Sequence, residues 1–387
     1  MKIYLAENVF DQALKRIRYL FDEFPNVVIG ISGGKDSTIV YHLALQVAEE
    51  KGRLPLSVLF IDQEAEWRSV TDYVRLLMSD PRVRPLWYQM PLRLFNSTST
   101  TEPWLMCWEE GREWMRDKEP EAITENTYGT DRFKELFGRI MKADFKGEKA
   151  CYLAGVRAEE SPGRYVGLTG ASTYGPITWG TRYDRSREHY CFYPIYDWGY
   201  KDVWTAIHKN RWPYCQLYDA MYQYGVPLQK MRVSNVHHET AVDSLYYLQE
   251  VEADTWNALT RRLGGINSAG QMQKDAFTIP GLPPMFADWI EYRDYLLENL
   301  IPDAGYRVRF RSKFASLDKE YVDSPIREVM ARTCINGLLR NDCEHTVLSS
   351  FEMNPATHAY RKWRRGLPYI NMTYIPTGSP SPLIAHA

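Results

Sequence analysis

The run Ser32-Gly-Gly-Lys-Asp-Ser37 puts two glycines, a lysine, a carboxylate and two hydroxyls into six residues, a set suited to gripping a phosphate chain. Gly33 and Gly34 let the backbone bend tightly and bring successive N–H groups close to a ligand. Those groups, with the positive pole of a following helix, favour a polyanion, and Lys35 adds a full charge. Ser32 and Ser37 add hydroxyl donors, and Asp36 is a candidate for Mg²⁺. The spacing is not that of the Walker loop, which needs four residues between its first glycine and Gly-Lys-Ser/Thr.

Further charged groups could serve the same chemistry. In Gly155-Val-Arg-Ala-Glu-Glu-Ser-Pro-Gly-Arg164, the forks of Arg157 and Arg164 match phosphoryl oxygens better than lysine would. Glu160 would hold an arginine in position or help coordinate Mg²⁺, and a solvated loop with incidental charges is the alternative. Asp62, Glu64 and Glu66 have two readings: Mg²⁺ or ribose contact, or an N-cap followed by first-turn acids. Asp197 and Asp202 sit where capping is the default. His237-His238-Glu239 invites a metal reading, but adjacent histidines on one element point different ways and no third ligand is suitably spaced. Arg307, Arg309, Arg311 and Lys313, and then Arg361-Lys-Trp-Arg-Arg365, suit nucleic-acid contact with base stacking, against the alternative of a solvated helix face.

The elements that must position these residues can be read from hydrophobic pattern. Val27 to Ile31 reads as a buried parallel strand, and Ser37 onward as a helix with Ile39, Val40, Leu43 and Val47 on one face and Gly52 as terminator. A helix is expected over 8–23, strands over Leu56–Ile61, Val83–Met90, Ala150–Val156 and Tyr190–Ile195, and helices over 65–78 and 200–211. Such alternation implies parallel βαβ units, whose ligands bind at the carboxyl ends of the strands. The expected fold is therefore α/β, a parallel-sheet core with a mainly helical C-terminal region. The expected divisions are a nucleotide-binding domain over 1–230 with an insertion or cap at 96–148, a helical domain over 231–375, and a flexible tail over 376–387. Residues 276–284 read as a turn-rich hinge.

A chain of 387 residues with 44% hydrophobic and 25% charged content is of ordinary globular composition. A net charge of −2 excludes a strongly basic nucleic-acid binder by bulk charge, though not a local basic face. No run approaches a membrane span and no signal-peptide apolar region leads the chain, so a cytoplasmic protein without membrane contact is expected. The cysteines Cys107, Cys151, Cys191, Cys215, Cys334 and Cys343 show no Cys-x-x-Cys pair, so no disulfide framework, zinc ribbon or iron–sulfur cluster is expected.

Ser32-Gly-Gly-Lys-Asp-Ser37 resembles the PP-loop of the ATP pyrophosphatase superfamily. With Leu59-Phe-Ile-Asp62, Gly155-x-Arg157-x-x-Glu160-Ser-x-x-Arg164 and Pro194-Ile-x-Asp-Trp-x-x-x-Asp-Val-Trp204, the chain is similar to the phosphoadenosine-phosphosulfate reductase-like branch. Within that branch it looks most like the IbrA-type co-activators of prophage gene expression. That likeness rests on Trp104-x-x-Cys-Trp108, Leu217-Tyr-Asp-x-Met-Tyr222, Gly225-Val-Pro, Val251-Glu-x-x-Thr-Trp256 and Gly264-Gly-Ile-Asn267. The resemblance covers most of residues 5–270. It implies a site for ATP or another adenine nucleotide with Mg²⁺, and cleavage between the α and β phosphates. Gly33, Gly34 and Lys35 would cradle pyrophosphate, Asp36 and Asp62 would help hold Mg²⁺, and Lys35, Asp36, Arg157 and Arg164 would be catalytic. It also implies an acceptor in nucleic-acid modification or prophage regulation, with a ParB-like partner protein. Reductases of the branch use a redox cysteine in Glu-Cys-Gly-x-His, of which Asp342-Cys343-Glu344-His345 is a poor echo. A reductase or sulfurtransferase and a non-catalytic nucleotide-dependent co-activator are the alternatives.

Overall fold

The computed structural model describes residues 6–96, 98–99, 102, 104–183, 187–233, 235–236, 244–266, 281–340, 342, 345–352 and 355–366. A six-stranded sheet in the order β3-β2-β1-β6-β8-β7 carries the N-terminal part. It is built from β1 (Asn26–Gly30), β2 (Leu56–Ile61), β3 (Val83–Tyr88), β6 (Ala150–Leu153), β7 (Gly180–Arg182) and β8 (His189–Phe192). All neighbours pair in parallel except β7, which closes one edge antiparallel to β8. Strands flanked by helices on a parallel sheet are buried on both faces, so they read as unbroken apolar runs. Val28, Ile29, Val58, Leu59, Cys151, Leu153 and Phe192 are all buried. The five parallel strands are those expected from the sequence. β7 was not, because a three-residue strand with two exposed residues carries no hydrophobic signal.

Helices α1 (Val9–Glu23), α2 (Lys35–Glu50) and α3 (Arg68–Met78) follow the expected order, α2 joining β1 to β2 and α3 joining β2 to β3. α2 buries Ile39, Val40, Leu43, Ala44 and Val47, and the chain leaves it through Gly52 at φ +63°. A separate two-stranded sheet pairs β4 (Leu92–Phe95), just before the expected insertion, with β5 (Trp104–Cys107) inside it, and the helix α4 (Phe133–Asp144) follows within the same stretch.

The contacts divide the chain into two compact units. The first takes in residues up to 94, 106–236 and 247–262, so the stretch 247–262 groups with the sheet, beyond the expected boundary at 230. Its ties are specific: Tyr247 stacks on Trp67 at 6.1 Å, and Arg262 reaches Glu64. The second unit includes 95–105 and the residues from 263 onward. Helices Trp289–Leu300, Ala304–Tyr321 and Arg327–Leu339 pack there around Leu297, Phe310, Phe314, Leu317, Met330, Cys334 and Leu338. Asp288 and Asp303 cap the first two by accepting backbone N–H groups. His237, His238, Glu239, Cys343, part of the 276–284 hinge and the tail from 376 lie outside the described residues. Among the described residues no helix is long and apolar enough to cross a membrane.

Candidate functional site

The loop Ile31–Gly34 leaves β1 at the carboxyl edge of the sheet and enters α2 at Lys35. Gly33 adopts φ +68°, with Val70 Cγ1 only 2.7 Å from where a Cβ would stand, so both backbone and space demand glycine. Gly34 is extended (φ −81°, ψ 158°) and serves as a helix N-cap without a side-chain acceptor. The left-handed bend is therefore made at Gly33 alone. Asp36 lies in the first helical turn, where its charge suits the helix dipole. The Ser32 N–H donates to Ser37 Oγ at 3.2 Å, and Ser37 Oγ donates to the Gly34 carbonyl at 3.0 Å.

Lys35 is 5% exposed. Its Nζ donates to Asp36 Oδ2 at 3.0 Å and to the Met231 carbonyl at 3.4 Å, and its N–H donates to the Tyr218 hydroxyl at 3.0 Å. Burial lowers the pKa of the ammonium from its ordinary value, with Asp36 working against that. Arg157 arrives from the loop after β6 and is also buried; its Nε donates to Asp36 Oδ1 at 2.5 Å. The approach is close, because a Cβ on Gly155 would stand 2.5 Å from the backbone of Asp36 and Ser37. Glu160 receives Arg164 and lies 3.8 Å from Arg157. The structure thus gathers Lys35, Asp36, Arg157, Glu160 and Arg164 at one end of the sheet. Lys35 and Arg157 meet there on the carboxylate of Asp36 at a helix N-terminus, and Arg157 Nη1 also donates to Glu159 at 3.5 Å.

Asp62, expected to help hold Mg²⁺, is tied closely to protein donors. It is fully buried, and its Oδ1 accepts the Glu64 N–H at 3.0 Å. Oδ2 accepts Trp87 Nε1 and Gln89 Nε2, each at 2.9 Å, and Arg116 grips both oxygens. Those donors fill its lone pairs. Glu64, also fully buried and at φ +60°, accepts the Trp108 N–H at 2.6 Å and Arg262 Nε at 2.7 Å. Burial, and after it the Asp62 charge, pushes the Glu66 carboxyl up to about 8. Among the described residues no three His, Cys, Asp or Glu side chains are gathered for a metal. With Asp36 held between two cations as well, the donor set favours a polyanion over a free divalent ion.

Sequence reasoning gave no site role to Arg116, Arg262, Tyr218 or the segment 231–233, although Tyr218 falls in the motif Leu217-Tyr-Asp-x-Met-Tyr222. Nor does it foresee where the basic stretches go. Arg307 Nη1 donates to the Ile301 carbonyl at 2.8 Å, Arg311 pairs with Glu298, and Lys313 Nζ lies 2.9 Å from Glu352. Arg361 Nε lies 2.5 Å from Glu320, and Arg364 donates to the Glu320 carbonyl. Much of the basic charge proposed for nucleic acid is thus spent inside the helical unit. Cys107, Cys151, Cys191, Cys215 and Cys334 are buried, and burial pushes each thiol up, Cys191, Cys215 and Cys334 to about 12.

A family model described as the phosphoadenosine phosphosulfate reductase domain matches residues 26–269, and a second, a domain of unknown function, matches 225–348. The Escherichia coli (strain K12) protein YbdN, itself described as uncharacterized, is 33% identical over 330 residues, covering 81% of this chain and 80% of that protein. Among solved structures, Candida glabrata FMN adenylyltransferase in complex with FAD and inorganic pyrophosphate aligns with a TM-score of 0.37 and 12% identity, over 61% of this chain and 66% of that one. This chain therefore spans just under two thirds of that enzyme's length. A phosphoadenylyl-sulfate reductase from Candida auris aligns with a TM-score of 0.31 and 13% identity, over 62% of this chain and 99% of that one.

Proposed function

We propose that this chain, which belongs to the phosphoadenosine phosphosulfate reductase domain family, binds ATP through Ser32–Ser37 and transfers its adenylyl group to an acceptor. One observation carries the reading: Lys35 and Arg157, both buried, converge on the single carboxylate of Asp36 at the N-terminus of α2. In the step proposed, an acceptor oxygen attacks the α-phosphorus, the bond to the bridging β-oxygen breaks, and pyrophosphate leaves. Lys35, Arg157 and Arg164 offset the charge that builds on that leaving group, while Asp36 positions the first two. Mg²⁺ would arrive on the nucleotide phosphates and neutralise part of their charge, with Asp36 as the protein carboxylate nearest to it in role. Asp62 shapes the neighbouring edge and touches no phosphate in this account.

We assign the acceptor to nucleic-acid modification or prophage regulation, with nucleic acid or a ParB-like protein as partner. A non-catalytic co-activator would use the same nucleotide without turnover. The test is purified protein with ATP, Mg²⁺ and candidate DNA, products resolved by ion-exchange chromatography, with Lys35→Ala alongside. Pyrophosphate from wild type alone is expected, with AMP carried on the acceptor or released from it when a second nucleophile displaces it, whereas ADP as the product contradicts cleavage at the α-phosphorus. Family membership keeps a reductase or sulfurtransferase as the second reading. It needs a reactive thiol, which the five buried cysteines do not offer. Sulfite formation from phosphoadenosine phosphosulfate that is lost in Cys343→Ser would establish it.

A further inference from the structure

The segment Met231–Val233 lies against the phosphate loop at both of its ends. The Met231 carbonyl accepts Lys35 Nζ at 3.4 Å, and Val233 Cγ2 would stand 3.3 Å from a Cβ on Gly34. The Tyr218 hydroxyl, itself buried, accepts the N–H groups of both Lys35 and Val233. Arg232 sits between these anchors, exposed, and pairs with no carboxylate among the described residues. The other cations of the cluster have one: Lys35 and Arg157 have Asp36, and Arg164 has Glu160. The Arg232 charge nevertheless reaches this cluster, because it lowers the pKa of Lys35 and of Arg164 behind the effect of burial. With no carboxylate for Arg232 among the described residues, the cations of the cluster outnumber its carboxylates, and an anion would balance them.

We infer that Arg232 is a phosphate-binding residue, carried by Met231–Val233 to the far, most highly charged end of a polyphosphate seated in Ser32–Ser37. The inference rests on the nucleotide reading above and narrows it: the ligand bears at least two linked anionic groups, and a monophosphate is a poor substitute. The Tyr218 hydroxyl keeps the Lys35 N–H paired until a phosphate oxygen takes its place. A guanidinium at this position can give two parallel N–H donors to one phosphoryl group, which an ammonium cannot.

The experiment is calorimetric titration of wild type, Arg232→Ala, Arg232→Lys and Lys35→Ala with ATP, AMP and inorganic pyrophosphate at two salt concentrations. Arg232→Ala should weaken ATP and pyrophosphate by about tenfold or more and leave AMP nearly unchanged. Its ATP affinity should also fall less steeply with salt, and Arg232→Lys should recover part of the loss. Arg232 is exposed, so circular dichroism of the variants should match wild type. Equal losses for ATP and AMP, or no loss, overturn the inference while Lys35-dependent ATP binding still stands. ATP binding that is absent in wild type, or indifferent to Lys35→Ala, overturns the nucleotide reading and this inference together.

Discussion

β1 and β2 are adjacent parallel strands in register, Gly30 beside Leu59, and each ends in a group of charged residues at the same edge of the sheet. After β1 come Lys35 and Asp36; after β2 come Asp62, Glu64 and Glu66. The first group is incompletely paired: Lys35, Arg157, Arg164 and the nearby Arg232 outnumber Asp36, Glu159 and Glu160 among the described residues, and backbone N–H groups meet there. The second is closed by the protein itself, with Arg116, Trp87, Gln89 and Arg262 filling the carboxylate oxygens. The same placement at a strand end therefore yields a ligand site in one case and a structural joint in the other. Charge that the fold leaves uncompensated marks the site, and charge that it satisfies marks the joint.

Asp62→Ala gives the sharpest break of this contrast. It strands Arg116 and two buried side-chain donors, so about 3–5 kcal/mol of stability should be lost. Urea unfolding followed by tryptophan fluorescence should show the midpoint fall. Unchanged stability with loss of Mg²⁺-dependent ATP binding would instead make the β2 edge part of the site. Arg157→Ala addresses the other edge. It removes a charged donor from the cradle, and ATP affinity should drop by about ten- to a hundredfold in calorimetry.

Glu66 separates the two edges by pH. Its carboxyl is raised from an ordinary 4.5 to about 8, so the native state keeps a proton that the unfolded chain releases across that window. Stability should fall as pH rises between those values, by at most about 1.4 kcal/mol per pH unit, and the fall should stop above the native pKa. Glu66→Gln should remove that fall, with denaturant midpoints diverging from wild type as pH rises. Identical pH profiles would contradict a neutral buried Glu66. The smallest effect belongs to the helical unit. Arg311 and Glu298 form a solvent-exposed pair, so Arg311→Ala should change stability by under about 1 kcal/mol. If that variant lost DNA binding in a mobility-shift assay, the stretch would be an interface despite its internal partners.

The parallel strands were legible because burial on both faces writes itself into the chain as an apolar run. The phosphate loop was legible because its six residues are contiguous, and Arg157 and Arg164 because they follow a buried strand. The partners of Asp62 were not legible, for the converse reason. What decides its role is Arg116, 54 positions away in a segment without periodicity, together with side chains from β3 and the residues after it. Arg232 left no trace in the pattern because its neighbourhood is set by contacts of Met231 and Val233 with a loop about 200 residues earlier in the chain. The basic stretches looked free because their partners Glu298, Glu320 and Glu352 lie on other helices or a turn away in space.

The most direct test of the contrast between the two edges is calorimetric titration of ATP into wild type and Lys35→Met, a substitution that keeps the bulk of the buried stem. The account predicts binding by wild type and a loss of about tenfold or more in the variant, with both proteins folded by circular dichroism. Equal affinity in the two proteins would mean that the charge left open after β1 does not hold phosphate, and the central claim would fall.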